Sequence, residues 1–117
     1  MGHLTTHVLD TARGIPARGV RIELLAVEPD RPRLLATAAT NQDGRTDAPL
    51  LSGEAFRPGA YEMLFHVGAY FAATGMAGAE PSFLDIVPVR FRIAEPDGRY
   101  HVPLLVSPWS YATYRGS

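Results

Sequence analysis

The 117-residue chain carries eleven basic and twelve acidic side chains, a net charge of −1, which excludes the basic stripe of a nucleic-acid binder and the acidic block of a disordered tail. Its length is that of one domain, able to bury roughly two-thirds of its unfolded surface. Cysteine is absent and all eleven basic residues are Arg, so disulfides, thiolate metal sites, a cysteine nucleophile and Schiff-base chemistry are excluded.

In chain order, residues 2–9 alternate weakly. Leu4, Thr6 and Val8 share one face and Thr5, His7 and Leu9 the other, which reads as a strand carrying His7 outward from the apolar set. Residues 10–19 hold two Gly and one Pro and read as a loop. Residues 20–27 alternate well and predict a strand, residues 28–33 a proline-broken turn, and residues 34–40 a return strand. Asn41-Gln42-Asp43-Gly44-Arg45 is a turn, because Gly accepts positive φ at no steric cost, and it would lift Arg45 clear of the sheet. Residues 46–59 are polar and punctuated by Gly and Pro. Residues 60–70 set Tyr61, Met63, Phe65 and Val67 against Glu62, Leu64, His66 and Gly68, predicting a strand, with a short helix over residues 70–79. Residues 84–94 predict another strand, with Val87, Val89, Phe91 and Ile93 facing away from Arg90 and Arg92. Glu95-Pro96-Asp97-Gly98 predicts a hairpin into a last pair, residues 100–106 and 110–114. Ser107-Pro108-Trp109 joins that pair tightly, since Pro108 fixes φ and offers no donor. His101, Pro103 and Leu105 share a face opposite Val102, Leu104 and Val106, so a histidine enters a strand otherwise built for burial.

About seven or eight short strands between Gly, Pro and Asp turns specify an all-β sandwich, and one short helix does not alter that class. No apolar run reaches the length of a membrane span. The first residues lack both the charged and the apolar region of a signal peptide, so a soluble, cytoplasmic protein without nucleic-acid or membrane partners is expected.

Of the four histidines, each taken singly is more simply an exposed or core residue than a catalytic one. His3 lies near a chain end, and His66, beside Glu62 in its strand, reads as structural. His7 and His101 differ because each interrupts an apolar or Thr-rich strand, near opposite ends of the chain. The tail Tyr114-Arg115-Gly116-Ser117 adds several hydrogen-bonding groups.

Leu4-Thr5-Thr6-His7-Val8-Leu9-Asp10, Thr40-Asn41-Gln42-Asp43-Gly44-Arg45, Tyr100-His101-Val102-Pro103-Leu104-Leu105-Val106-Ser107-Pro108 and the tail together resemble the transthyretin-like family of 5-hydroxyisourate hydrolases, over residues 4–117. The tail is the most specific part, since it separates the enzymes from the hormone carrier of the same fold. The resemblance implies a transthyretin-like (prealbumin-like) sandwich over residues 1–117 and catalytic roles for His7, Arg45, His101 and Ser117. It implies substrate binding by Tyr114, Arg115 and Gly116, and a homotetramer, a dimer of dimers, with sites between subunits. The implied reaction opens the cyclic amide of 5-hydroxyisourate to 2-oxo-4-hydroxy-4-carboxy-5-ureidoimidazoline, in urate breakdown, with no cofactor and no metal.

The residue types suit that chemistry. Histidine exchanges protons near neutral pH, and a nearby Arg favours its neutral form. Guanidinium groups offer a fixed fork of donors to a planar, carbonyl-rich substrate. Ser117 is a candidate nucleophile, but no Asp-oriented Ser–His pair is visible, so water is the expected nucleophile with Ser117 and the terminal carboxylate orienting it. Three other readings are a transthyretin-like carrier without catalysis, a zinc site on His7, His101 and a third ligand, and a sandwich interaction module.

Overall fold

In the computed structural model, which describes residues 2–75 and 81–116, Leu4, Thr6, Val8 and Asp10 are buried while Thr5, His7 and Leu9 are half-buried. The alternation of a strand is therefore kept across the whole segment, yet the segment is two strands, β1 (His3–Thr5) and β2 (Val8–Asp10). Next come β3 (Ile15–Pro16), β4 (Arg21–Ala26), β5 (Arg33–Ala39) and β6 (Leu51–Ser52). The chain continues through β7 (Gly59–His66), α1 (Val67–Thr74) and β8 (Ile86–Ile93), then β9 (Arg99–His101), β10 (Leu104–Val106) and β11 (Tyr111–Thr113).

One sheet has the order β5-β4-β7-β8 and is antiparallel throughout. Two smaller sheets, β6-β1-β9 and β11-β10-β2-β3, adjoin each other because β1 leads into β2 and β9 into β10. In both, the N-terminal segment runs parallel to the C-terminal one, β1 against β9 and β2 against β10. Across the gap, Val102 N donates to Thr5 O and Leu104 N to His7 O, each at 2.9 Å, and the buried Thr6 hydroxyl donates to Val102 O at 2.6 Å. The two strand breaks, at residues 6–7 and 102–103, thus lie side by side.

Ile22, Leu24, Met63, Phe65 and Val87 from the large sheet and Leu4, Val8, Leu104 and Val106 from the smaller ones are buried in one apolar cluster. Full burial of such a side chain contributes about 1.5–3 kcal/mol. Asp10 is fully buried as well. Its carboxylate accepts bonds from Ala12 N, Arg13 N, Arg13 Nε and the Tyr70 hydroxyl at 2.8–3.2 Å, which satisfies a charge that burial would otherwise penalise.

Three expectations need correction. The stretch expected to be a loop, residues 10–19, contains β3, which pairs with β2. The turn at residues 95–98 does not make a hairpin: β8 and β9 belong to different sheets, and the Tyr100 hydroxyl holds the crossover by accepting from Ala94 N and Glu95 N at 3.0 and 3.2 Å. Helix α1 starts at Val67, earlier than expected, because the β7–β8 ladder ends at the His66–Ile86 pair. There Gly68 N donates to Asp85 O at 2.8 Å. Gly75, at φ 73°, ends the helix in the left-handed conformation that glycine accepts without strain. The rest of the expected helix, residues 76–79, lies outside the described residues. Among the described residues no helix is long and apolar enough to cross a membrane.

Candidate active site

The site forms where β1 gives way to β2, because the neighbours of this segment change there on one side. Next to β1 lies β6, and next to β2 lies β3. Between them the turn at residues 41–45 closes on the segment, with an isolated antiparallel bridge between His7 and Arg45 and a 2.8 Å bond from Val8 N to Gly44 O. Gly44 is required at this contact. Its φ is 73°, and a Cβ there would lie 2.5 Å from Val8 O, so any other residue would push the turn off the strand. The Asn41 side-chain oxygen braces the turn by accepting from Asp43 N at 2.9 Å and Arg45 N at 3.2 Å. Arg45 is therefore not lifted clear of the sheet as expected; its backbone is tied to His7.

His101 ends β9 directly opposite Thr5 in the parallel register. Its Nδ1 lies 2.8 Å from Thr5 Oγ1 and its Nε2 lies 2.7 Å from His7 Nδ1. The two imidazole rings are 4.8 Å apart between centroids and inclined at 36°. From the other side the tail closes in: Gly116 N donates to His101 O at 2.6 Å, and a Cβ at Gly116 would meet His101 Cδ2 at 2.8 Å. Only a glycine can lie this close to the ring. The Arg115 guanidinium sits 4.0 Å from the centroid of the Tyr100 ring, a cation–π contact, and donates to Arg99 O at 3.4 Å.

These side chains open on a cavity of about 800 Å³ lined by His7, Arg45, Arg99, His101, Tyr114, Arg115 and Gly116. Burial lowers the His7 pKa below 6.5, with a further contribution from the Arg45 charge. The His101 pKa is lowered by burial first, then by His7 and by Arg45. Both rings are thus held toward the neutral form, able to take up a proton, in a cavity whose lining holds three guanidinium groups and, among the described residues, no carboxylate.

Six of the seven residues nominated from sequence, namely His7, Arg45, His101, Tyr114, Arg115 and Gly116, line this one cavity. The seventh, Ser117, lies outside the described residues. His66 is elsewhere, its Nε2 2.6 Å from Glu23 Oε1; its strand neighbour Glu62 pairs instead with Arg90 at 3.3 Å. Among the described residues no group of three His, Asp or Glu is placed to hold a metal ion. Sequence reasoning missed Thr5 and Arg99. Both could have been found, since each stands two residues from a nominated histidine and so shares its strand face.

The family model described as HIUase/Transthyretin family matches residues 4–116. The chain is 57% identical to 5-hydroxyisourate hydrolase of Pseudomonas aeruginosa over 117 residues, covering all of this chain and 93% of that one. Among solved structures it resembles (S)-allantoin synthase, with a TM-score of 0.93 and 50% identity over 99% of this chain. It spans only 44% of the synthase chain, less than half its length. It also resembles sea bream transthyretin in complex with thyroxine, with a TM-score of 0.85 and 29% identity, covering 97% of this chain and 93% of that one. One fold thus houses both a hydrolase and a thyroxine-bound protein, and the fold alone does not choose between such functions.

Proposed function

Since the chain belongs to the HIUase/Transthyretin family, we propose that residues 1–117 form one transthyretin-like domain that hydrolyses 5-hydroxyisourate with water activated by the His7–His101 pair. The observation that carries this reading is the 2.7 Å contact between His7 Nδ1 and His101 Nε2, opening with Arg45 on one cavity. A carrier of an apolar ligand has no use for a coupled imidazole pair among guanidinium groups. Ring opening of a cyclic amide needs all of these parts.

In this reading the neutral pair removes a proton from water as its oxygen bonds to the ring carbonyl carbon. Negative charge develops on the carbonyl oxygen and is met by the Arg45 guanidinium, a donor that stays ionised. Collapse of the tetrahedral intermediate breaks the carbon–nitrogen bond, and the pair returns the proton to the leaving nitrogen. The product, 2-oxo-4-hydroxy-4-carboxy-5-ureidoimidazoline, bears a carboxylate where the substrate bore an amide. Arg99 and Arg115 offer planar forks to the substrate carbonyls and then to that carboxylate. Tyr114 and Gly116 complete the wall, and Ser117 with the terminal carboxylate orients the water. No cofactor enters this scheme.

The reading includes a homotetramer, a dimer of dimers. Strands β8 and β11 are sheet edges, and Ile86, Trp109, Tyr111 and Tyr114 leave large apolar surface exposed on or beside them. Such edges invite pairing with a second copy, and a sedimentation mass of one subunit at micromolar concentration would remove this part. The compartment we expect is the cytoplasm, where a chain without disulfides lacks nothing for its stability. The activity itself is tested by adding the protein to freshly generated 5-hydroxyisourate and following the loss of its ultraviolet absorbance. Acceleration over spontaneous decay supports an enzyme; binding without acceleration supports a carrier.

A further inference from the structure

Three groups stand in a row at the site: Thr5 Oγ1, the His101 ring and the His7 ring, linked by contacts of 2.8 and 2.7 Å. A row of hydrogen bonds through two neutral imidazoles can run in only two directions. In one, His101 Nδ1–H donates to the Thr5 hydroxyl oxygen and His7 Nδ1–H donates to His101 Nε2, leaving His7 Nε2 with a bare lone pair. In the other, the Thr5 hydroxyl donates to His101 Nδ1, His101 Nε2–H donates to His7 Nδ1, and His7 Nε2 carries the proton. Among the described residues, His7 Nε2 is the one ring nitrogen of the pair without a protein partner, and His7 lines the cavity. The direction of the row therefore decides whether the cavity meets a base or an acid.

We propose that Thr5 is a positioning residue: by accepting from His101 Nδ1–H it fixes the tautomer that leaves His7 Nε2 unprotonated toward the cavity, which makes His7 the base. One observation selects this direction. Arg45, Arg99 and Arg115 line the cavity, three positive charges against the single terminal carboxylate of the proposed site, and a net positive cavity favours the lone-pair end of each imidazole dipole facing it and the N–H end facing away. The Thr5 hydroxyl, half-buried on β1 and 2.8 Å from His101 Nδ1, then receives the N–H end of the row. When His7 Nε2 takes a proton from water, His7 Nδ1–H passes to His101 Nε2. His101 then carries the positive charge with both N–H groups bonded, one to His7 and one to Thr5. The reverse shift returns the proton to the leaving nitrogen, and the count of protons closes.

This rests on the hydrolase reading above, and the test separates the two. Two-bond nitrogen–proton spectra of protein labelled with nitrogen-15 in histidine report each tautomer without substrate. The wild-type chain is expected to show both rings protonated at Nδ1. Thr5→Val, which keeps the β-branched shape, is expected to place proton density on His7 Nε2 and to lower kcat by about tenfold, the effect of losing one oriented hydrogen bond. KM is expected to hold, and Thr5→Ser to restore both kcat and spectrum. A Thr5→Val protein with wild-type spectrum and kcat overturns the proposal. Should that variant not fold, a wild-type spectrum with His101 protonated at Nε2 overturns it equally. A wild-type chain that does not accelerate hydrolysis defeats the hydrolase reading, while the spectra still decide the tautomer.

Discussion

Replacing Gly116 with Ala perturbs the site through one contact whose size can be worked out. The new Cβ would lie 2.8 Å from His101 Cδ2, 3.2 Å from its Cβ and 3.3 Å from its Cγ. Carbon atoms pack comfortably at about 3.5–4.0 Å, so ring and tail must separate by roughly 0.7 Å. If the ring gives way, its 2.7 Å contact with His7 approaches the limit of a hydrogen bond. If the tail gives way, the 2.6 Å bond from Gly116 N to His101 O stretches to about 3.3 Å and the wall of the cavity shifts with it. Misplacement of a catalytic group by about 1 Å costs up to a hundredfold, so kcat is expected to fall by about ten- to a hundredfold. Stability should change by less than about 0.5 kcal/mol, as for other peripheral substitutions, and Tm therefore by less than roughly 4 °C. The assay is initial-rate decay of 5-hydroxyisourate absorbance, paired with a thermal melt. Wild-type kcat in a folded Gly116→Ala protein, or a kcat loss that follows a large fall in Tm, would refute the reasoning.

Removing residues 114–117 is expected to abolish hydrolysis with little change in Tm, because Tyr114 and Arg115 are exposed and the Thr113 hydroxyl keeps its 2.7 Å bond to Pro103 O; full activity in the truncated chain would refute the tail's part in the site. Arg115→Lys keeps the charge but loses the planar fork and its stacking on Tyr100, and should lower kcat/KM by about tenfold or more. Because the folded-state pKa values of His7 and His101 are depressed below 6.5, the unfolded chain binds more protons in that window. Stability is then fully present above pH 6.5 and is lost as pH falls through the folded pKa values. A plot of Tm against pH should be flatter in a His7→Asn, His101→Asn double variant, and activity should fall on the acid side with a midpoint below 6.5. Asp10→Ala removes the acceptor shared by Tyr70, Arg13 and the backbone at Ala12 and should cost about 3 kcal/mol, read by urea unfolding, with kcat of the folded fraction retained.

Much of the large sheet was legible because its strands are half-buried: Val87, Val89 and Ile93 are buried between exposed Pro88, Arg90 and Arg92, and a period of two follows directly from that. The hairpin error at residues 95–98 has a local cause. Turn chemistry is the same whether the next strand returns to its own sheet or crosses to another, and only the pairing of β9 with β1 decides. The site was legible as residue types and, through family resemblance, as a set. Its geometry was not: the parallel pairing that sets Thr5 opposite His101 joins residues 96 apart in sequence. Likewise, the break at His7 arises because the turn at residues 41–45, rather than a strand, packs beside it. Neither His7 nor Arg45 carries a local signal of that contact.

The proposed action of His7 and His101 as one proton-transferring pair is tested by the turnover of freshly generated 5-hydroxyisourate by His7→Asn, His101→Asn and His66→Asn proteins, each verified as folded. Loss of either member of the pair should lower kcat by about two to four orders of magnitude, the range for a general acid–base group. His66, bonded to Glu23 away from the cavity, should be dispensable for the rate. Wild-type turnover in His7→Asn or His101→Asn, or equal losses at all three positions, would contradict the account.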